Sequence, residues 1–202
     1  MGLDATCIAR VGARSSRGKA HLDSEELIFR GDFRLAIPFR EIRSATARGG
    51  ELHIDHRGEK ITLSLGDAAA RWADKITHPK SRLEKLGVKR GMRVSLLGVD
   101  DPGFIRELRE QGVELSEDRP ARDADLIFAA ISSREALGRL RSLRGGLKRG
   151  GAIWTVREKG SAKVTQSEVL TAGRTAGLVD IKVVSFSPTH TAEKFVIPVK
   201  RR

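Results

Sequence analysis

Between Thr77 and Ser81 the spacing of apolar residues changes, and that change constrains the fold more than any other feature of this chain. Before it, apolar residues recur at every second position; after it, short apolar runs alternate with segments whose apolar residues recur at helical spacing. A period of two builds half-buried antiparallel strands, whereas alternating runs build βα units around a parallel sheet. One sheet does not serve both patterns, so two domains are expected, residues 1–78 and 81–202. They meet at Thr77-His78-Pro79-Lys80, where Pro79 disfavours helix in the residue before it. A chain of 202 residues has room for two small domains.

The first part reads as a meander of about six strands. Leu52-His53-Ile54-Asp55-His56 and Ile61-Thr62-Leu63-Ser64-Leu65 alternate strictly around the turn Arg57-Gly58-Glu59. Upstream, Glu26 to Arg30 and Phe33 to Ile37 flank Gly31-Asp32, and Thr6 to Val11 opens the sheet with Cys7 buried. A helix follows, with Asp67 placed to cap it and Ala69, Trp72, Ala73 and Ile76 on one face. The expected architecture is a small antiparallel α+β barrel whose open end this helix closes.

In the second part Ser81-Arg82-Leu83-Glu84 is a capping box for a short helix stopped by Gly87, and Arg93 to Leu97 is a buried strand. Asp101 as N-cap and Pro102 at the first helical position open the next helix, which Gly112 closes. A strand at Val113 to Leu115 and another at Leu126 to Ala130 come next. One helix, entered through Ser132-Ser133-Arg134-Glu135, carries Ala136, Leu137, Leu140 and Leu143 inward, with Arg134 and Arg141 on one edge of that stripe. Gly150-Gly151 turns into the strand Ala152 to Val156. Thr165-Gln166-Ser167-Glu168 caps a helix ending at Gly177, and Leu178 to Phe186 with Phe195 to Val199 form a closing hairpin. This order predicts an α/β, Rossmann-like domain with a mainly parallel sheet and an antiparallel edge.

Charge is uneven along the chain. Residues 1–79 hold 13 basic and 11 acidic side chains, whereas residues 80–202 hold 25 and 15, out of 38 and 26 overall. Arg141, Arg144, Lys148 and Arg149 are therefore the candidates for contact with a polyanion, at most as weak and sequence-indifferent binding to nucleic acid. Arg144, Lys148 and Arg149 also complement the end of a helix dipole. No apolar run reaches membrane-spanning length, and the single cysteine fits a reducing compartment, so a cytoplasmic location is expected.

Ligands of such a sheet bind beyond the carboxyl ends of its strands. The loop to inspect is Gly98-Val99-Asp100-Asp101-Pro102-Gly103, after the first strand. Gly98 and Gly103 let a ligand approach the backbone, and Glu117, about twenty residues on, stands where an acid can grip a ribose. Asp100 and Asp101 fill the position an anion would take, and Pro102 removes an N–H donor. Gly98, Asp100, Asp101, Gly103 and Glu117 are the candidate cofactor residues. The chain has no phosphate-binding loop and no His-Glu-x-x-His, and His53 and His56, three apart on a strand, are not placed to share a metal.

The segments Leu86-Gly87-Val88-Lys89-Arg90-Gly91-Met92-Arg93-Val94, Leu147-Lys148-Arg149-Gly150-Gly151-Ala152-Ile153-Trp154 and Gly177-Leu178-Val179-Asp180-Ile181-Lys182-Val183 resemble a bacterial domain family of unknown function. That family has a shortened class I methyltransferase sheet. Residues 1–78 resemble bacterial pleckstrin-homology-like or GRAM-like barrels, through Leu22 to Phe29, Ile37 to Ile42 and the Trp72 helix. Against the methyltransferase pattern, Asp100 and Pro102 stand where glycines are usual, and Ile131-Ser132-Ser133 follows Ala130 without the usual motif. These departures lead to the expectation of a noncatalytic binding or regulatory protein. It would use no cofactor, neither adenosylmethionine nor a nicotinamide dinucleotide, and its partner would be a protein or small molecule. Two alternatives stand beside it: polyanion binding through the basic second half, and an adenosylmethionine-dependent methyltransferase using Gly98, Asp100, Gly103 and Glu117.

Overall fold

The computed structural model describes residues 2–198, so Val199, placed above in the closing hairpin, lies outside the described residues. Contacts divide the chain between Lys80 and Ser81 into two compact units. In the first, seven strands form one antiparallel sheet: β1 (Leu3–Val11), β2 (Arg14–Leu22), β3 (Glu26–Arg30), β4 (Arg34–Pro38), β5 (Ile42–Arg48), β6 (Glu51–His56) and β7 (Glu59–Ser64). Their order is β4-β3-β2-β1-β7-β6-β5, so β4 and β5 remain as edges. The expected barrel is thus a curled half-barrel, not closed by a hydrogen-bonded seam. Helix α1 (Ala68–Thr77) packs on β5 and β6 and buries Ala69, Trp72, Ala73 and Ile76, the face anticipated from spacing. Asp67 does not cap it: the residue is already helical and its side chain bonds no helix amide. The first amides bond instead to the Leu65 and Gly66 carbonyls.

Strands β2 and β5 escaped the sequence pattern because both are mostly polar. In β2 only Ser16, Ala20 and Leu22 are buried. Gly18 serves close packing there: a Cβ would lie 2.3 Å from the Arg30 carbonyl oxygen on β3. Every other strand residue of β1 from Cys7 to Val11 points inward, which is the alternation a half-wet sheet requires.

The second unit has α2 (Arg82–Leu86), β8 (Arg93–Leu97), α3 (Pro102–Gln111), β9 (Glu114–Glu117), β10 (Ala124–Ala130), α4 (Arg134–Leu137), α5 (Leu140–Arg144), β11 (Leu147–Glu158), α6 (Gln166–Thr175), β12 (Val179–Ser185) and β13 (His190–Val196). The sheet order is β12-β13-β11-β10-β8-β9. β9, β8, β10 and β11 run parallel, and β13 is antiparallel to both its neighbours. Leu86, Phe104, Leu108, Phe128, Trp154 and Phe186 fill one face, while Ile127, Leu140, Ile153, Val169 and Phe195 fill the other. Burial on both faces is why β8 and β10 read as continuous apolar runs.

Two expectations fail here. The helix expected from Ser132 is two short helices, broken at Gly138 and Arg139. Ser133 stands at its start without a side-chain cap bond. Glycine weakens a helix interior, and α5 buries Leu140 and Leu143 while Ala136 and Leu137 of α4 pack half-buried against the same core. Arg134 and Arg141 therefore share no helix edge. Second, Gly150-Gly151 is not a turn before the strand but an irregularity inside β11, where a Cβ on Gly151 would lie 2.8 Å from the Ala124 carbonyl oxygen.

The two capping boxes form as spacing indicates, Ser81 with Glu84 and Thr165 with Glu168. Glu168 accepts from the Thr165 amide and hydroxyl and from Arg134 Nε, and these bonds hold its pKa at about 2, against an ordinary 4.5. A carboxyl depressed in the folded state adds stability above pH 4.5 and loses it as pH falls toward 2. Glu168→Gln is expected to flatten the acid side of a plot of Tm against pH over that window while leaving Tm below pH 2 unchanged. A wild-type slope retained in the variant would refute it.

Candidate functional site

The chain leaves β8 through α3 to β9 on one side, then returns across β8 to β10 on the other. Connections that part in this way leave a crevice at the carboxyl ends of the strands. Here a crevice of about 570 Å³ opens there, with the ends of β8, β10 and β11 as its floor and the β12–β13 turn at its rim. Its walls are apolar at Val99, Ile131, Val156 and Val164.

Of the expected cofactor residues, Gly98, Asp100 and Asp101 line this crevice. Gly98 has φ +67°, the left-handed region that glycine enters without strain, and this turns the chain sharply off β8. Asp100 is exposed on the crevice wall. Asp101 is already engaged: one carboxylate oxygen caps α3 by accepting from the Phe104 amide at 2.8 Å, and the other accepts from Arg82 Nη1 at 2.7 Å. Burial alone would raise the Asp101 pKa, but the Phe104 amide and the Arg82 guanidinium outweigh it and hold the carboxyl below the ordinary range. Arg82 also bonds Glu107 and lies over the Phe104 and Phe186 rings, so the loop is braced from beneath.

Gly103 and Glu117 are not part of the crevice lining. Gly103 sits in the first turn of α3, where a Cβ would meet Asp101 Oδ1 at 3.2 Å. Glu117 ends β9 and pairs with Arg109 at 2.7 Å, both exposed. The basic candidates do not form one free patch either. Lys148 pairs with Asp125, and the Arg144 guanidinium lies across Gly177. Arg141 and Arg149 are exposed.

The residues the sequence did not point to are Arg157, Glu193, Lys163 and His190. Glu193 on β13 is fully buried, and Arg157 at the end of β11 is 9% exposed. Arg157 Nε donates to Glu193 Oε1 at 2.8 Å, and the Thr155 hydroxyl donates to Glu193 Oε2 at 2.8 Å. Arg157 lines the crevice beside Lys163 and His190. A signal did exist: each of the pair is a charged residue inside an otherwise buried strand. Their partnership depends on β11 and β13 being neighbours, which no local spacing reveals.

No family model and no curated protein matches the sequence. Similar solved structures do exist. One is a chain from a complex of a Haloferax volcanii methyltransferase with its activator (TM-score 0.46, 15% identity, covering 60% of this chain and 88% of that one). Another is an adenosylmethionine-dependent methyltransferase from Aquifex aeolicus (0.46, 16%, 57% and 87%). A third is the Burkholderia thailandensis 1,6-didemethyltoxoflavin-N1-methyltransferase, solved with S-adenosylhomocysteine (0.44, 13%, 56% and 72%). At such identities the likeness is one of fold. The expectation of a noncatalytic module is corrected by this finding: several of the similar structures, these three among them, are methyltransferases.

Proposed function

We propose that the second unit binds adenosylmethionine in the crevice above β8, β10 and β11 and transfers its methyl group to a small acceptor. The observation that carries this reading is an open crevice at the point where the strand order reverses, floored by the turn at Gly98 and walled by Asp100. The loop's chemistry favours a cation. Asp101 occupies the helix N-terminus, and Pro102 supplies no N–H, so a pyrophosphate meets repulsion where it would need donors. Adenosylmethionine presents an ammonium and a sulfonium instead, which the Asp100 carboxylate suits. Glu117 lies outside the crevice lining and pairs with Arg109, so it would meet a ribose hydroxyl only by leaving that exposed pair, one of the kind worth under about 1 kcal/mol. When bound, the cofactor supplies an electrophilic methyl. The protein's own part is to fix its orientation and keep water from the reacting atoms with Val99, Ile131, Val156 and Val164.

For the first unit, seven antiparallel strands followed by one packed helix support a pleckstrin-homology-like reading.

Calorimetric titration tests the cofactor reading. Adenosylmethionine and adenosylhomocysteine are each expected to bind with Kd near or below about 100 μM, equivalent to over 5 kcal/mol. Asp100→Asn is expected to weaken adenosylmethionine about tenfold, and adenosylhomocysteine, which lacks the sulfonium charge, by less. Absence of saturable binding for both at about 1 mM would remove this reading.

A further inference from the structure

The pair Arg157–Glu193 has no evident structural purpose. Beyond its polar cross-strand partners Thr155 and Thr191, the next residues on the same sheet face, Ile153 and Phe195, are fully buried and apolar. Replacing a buried ion pair by apolar residues of similar volume is often neutral or stabilising, so a pair kept in such a setting asks for another explanation. Its geometry supplies one. Glu193 takes Nε, and Thr155 holds the second carboxylate oxygen, so the guanidinium is oriented from behind. Nη1 reaches the Glu158 carbonyl oxygen only at 3.4 Å, beyond the usual range for such a bond. Nη2 has no partner among the described residues, yet no buried nitrogen there lacks one, so Nη2 is open to the crevice that Arg157 lines.

We infer that Arg157 is an oxyanion-binding residue and that the crevice takes a small ligand bearing a carboxylate or phosphate. The open edge of the guanidinium is a planar fork of N–H donors, the geometry that matches two oxygens of one such group. Lys163 adds a second cation on the same rim, and the His190 ring, whose Nδ1 lies 2.9 Å from the Thr189 hydroxyl, leaves Nε2 toward solvent or ligand. Three carboxylates share the lining: Asp100 and the already engaged Asp101 on the β8 loop, and Glu158 next to Arg157 in sequence. The Asp100 loop beyond β8 suits a cation, while the Arg157 side beyond β11 suits an anion through its N–H donors rather than through net charge, since Glu193 and Glu158 balance Arg157 and Lys163. Its volume of about 570 Å³ falls within the roughly 300–1,000 Å³ of small-molecule sites. The anion site stands on Arg157 and its surroundings. If the proposed function holds, this anion is the methyl acceptor, and that assignment alone rests on it.

The test is titration of the full chain with benzoate, phenyl phosphate and uncharged benzyl alcohol at constant ionic strength, followed by calorimetry or NMR. At least one anion is expected to saturate with an affinity more than about tenfold above that of benzyl alcohol, and comparison of the two anions tells a carboxylate site from a phosphate site. Arg157→Lys keeps a charge for Glu193 but loses the fork, and is expected to weaken the anion about tenfold. Arg157→Met with Glu193→Leu removes the pair together and is expected to abolish anion binding while the thermal melt persists. If that double variant fails to fold, the Arg157→Lys result decides. Equal binding of benzyl alcohol, unchanged anion affinity in the variants, or no saturation by about 10 mM would overturn the inference. Adenosylhomocysteine is titrated into the same proteins. If it never binds while anion affinity depends on Arg157, the cofactor reading fails alone; if it binds while anion affinity ignores Arg157, the anion site fails alone.

Discussion

Trp154→Ala is expected to destabilise the second unit by about 4–5 kcal/mol, the upper end of the range for removing a large buried aromatic. The indole is fully buried, stacked on Phe128 with ring planes 3° apart, and donates from Nε1 to the Leu86 carbonyl oxygen at 3.1 Å. The substitution leaves a cavity at the centre of one core layer and strips that carbonyl of its donor. A domain of this size holds roughly 5–15 kcal/mol in total, so from about a third to nearly all of its margin would go. The chain has two tryptophans, and the other, Trp72, is buried in the first unit. In the variant, denaturant unfolding followed by fluorescence therefore reports the first unit alone. We expect that transition at its wild-type midpoint, while far-ultraviolet circular dichroism shows an earlier one. Coincident transitions would show that the two units do not unfold separately.

Glu193→Leu alone is expected to destabilise by about 3 kcal/mol, because it strands a buried guanidinium rather than removing a pair. The value belongs at the low end for a broken buried ion pair, since the Nη2 side of Arg157 opens on the crevice and water can reach it there. Combining it with Arg157→Met should recover most of the loss. Equilibrium denaturation of the two single variants and the double closes a cycle whose coupling exceeds about 1 kcal/mol if the pair acts as a unit. Additive single effects would instead show that Glu193 and Arg157 contribute separately.

Much of the second unit was legible in the sequence because its signals are local. Asp101 and Pro102 open a helix, Gly112 closes it in the left-handed conformation, and Ser81 with Glu84 and Thr165 with Glu168 form reciprocal caps. Each depends on residues within a few positions of one another, where sequence distance and spatial distance agree. The first unit was less legible for a physical reason. Strand β2 is paired on both sides but buries few apolar side chains, so its place in the sheet comes from hydrogen bonding that composition does not mark. The broken helix at Gly138 and the irregular stretch at Gly150-Gly151 were missed because tertiary packing overrode a local pattern.

The candidate site divides in the same way. The Gly98–Asp101 loop was identified from the rule that ligands gather beyond strand ends, and it does line the crevice. Glu117 had the right spacing yet turns to Arg109, because an exposed carboxylate at the end of an edge strand takes the nearest cation. By itself the sequence determined where the period changes, which runs are buried on both faces, and which loop follows the first parallel strand. All three follow from the order of apolar and polar residues along a few turns or strand lengths. Only the tertiary structure decided that β13 inserts between β11 and β12, and with that insertion it set Glu193 behind Arg157, 36 residues apart in the chain. A carboxylate and a guanidinium so far apart meet only through the sheet order, and the sheet order is a property of the whole core rather than of any segment within it.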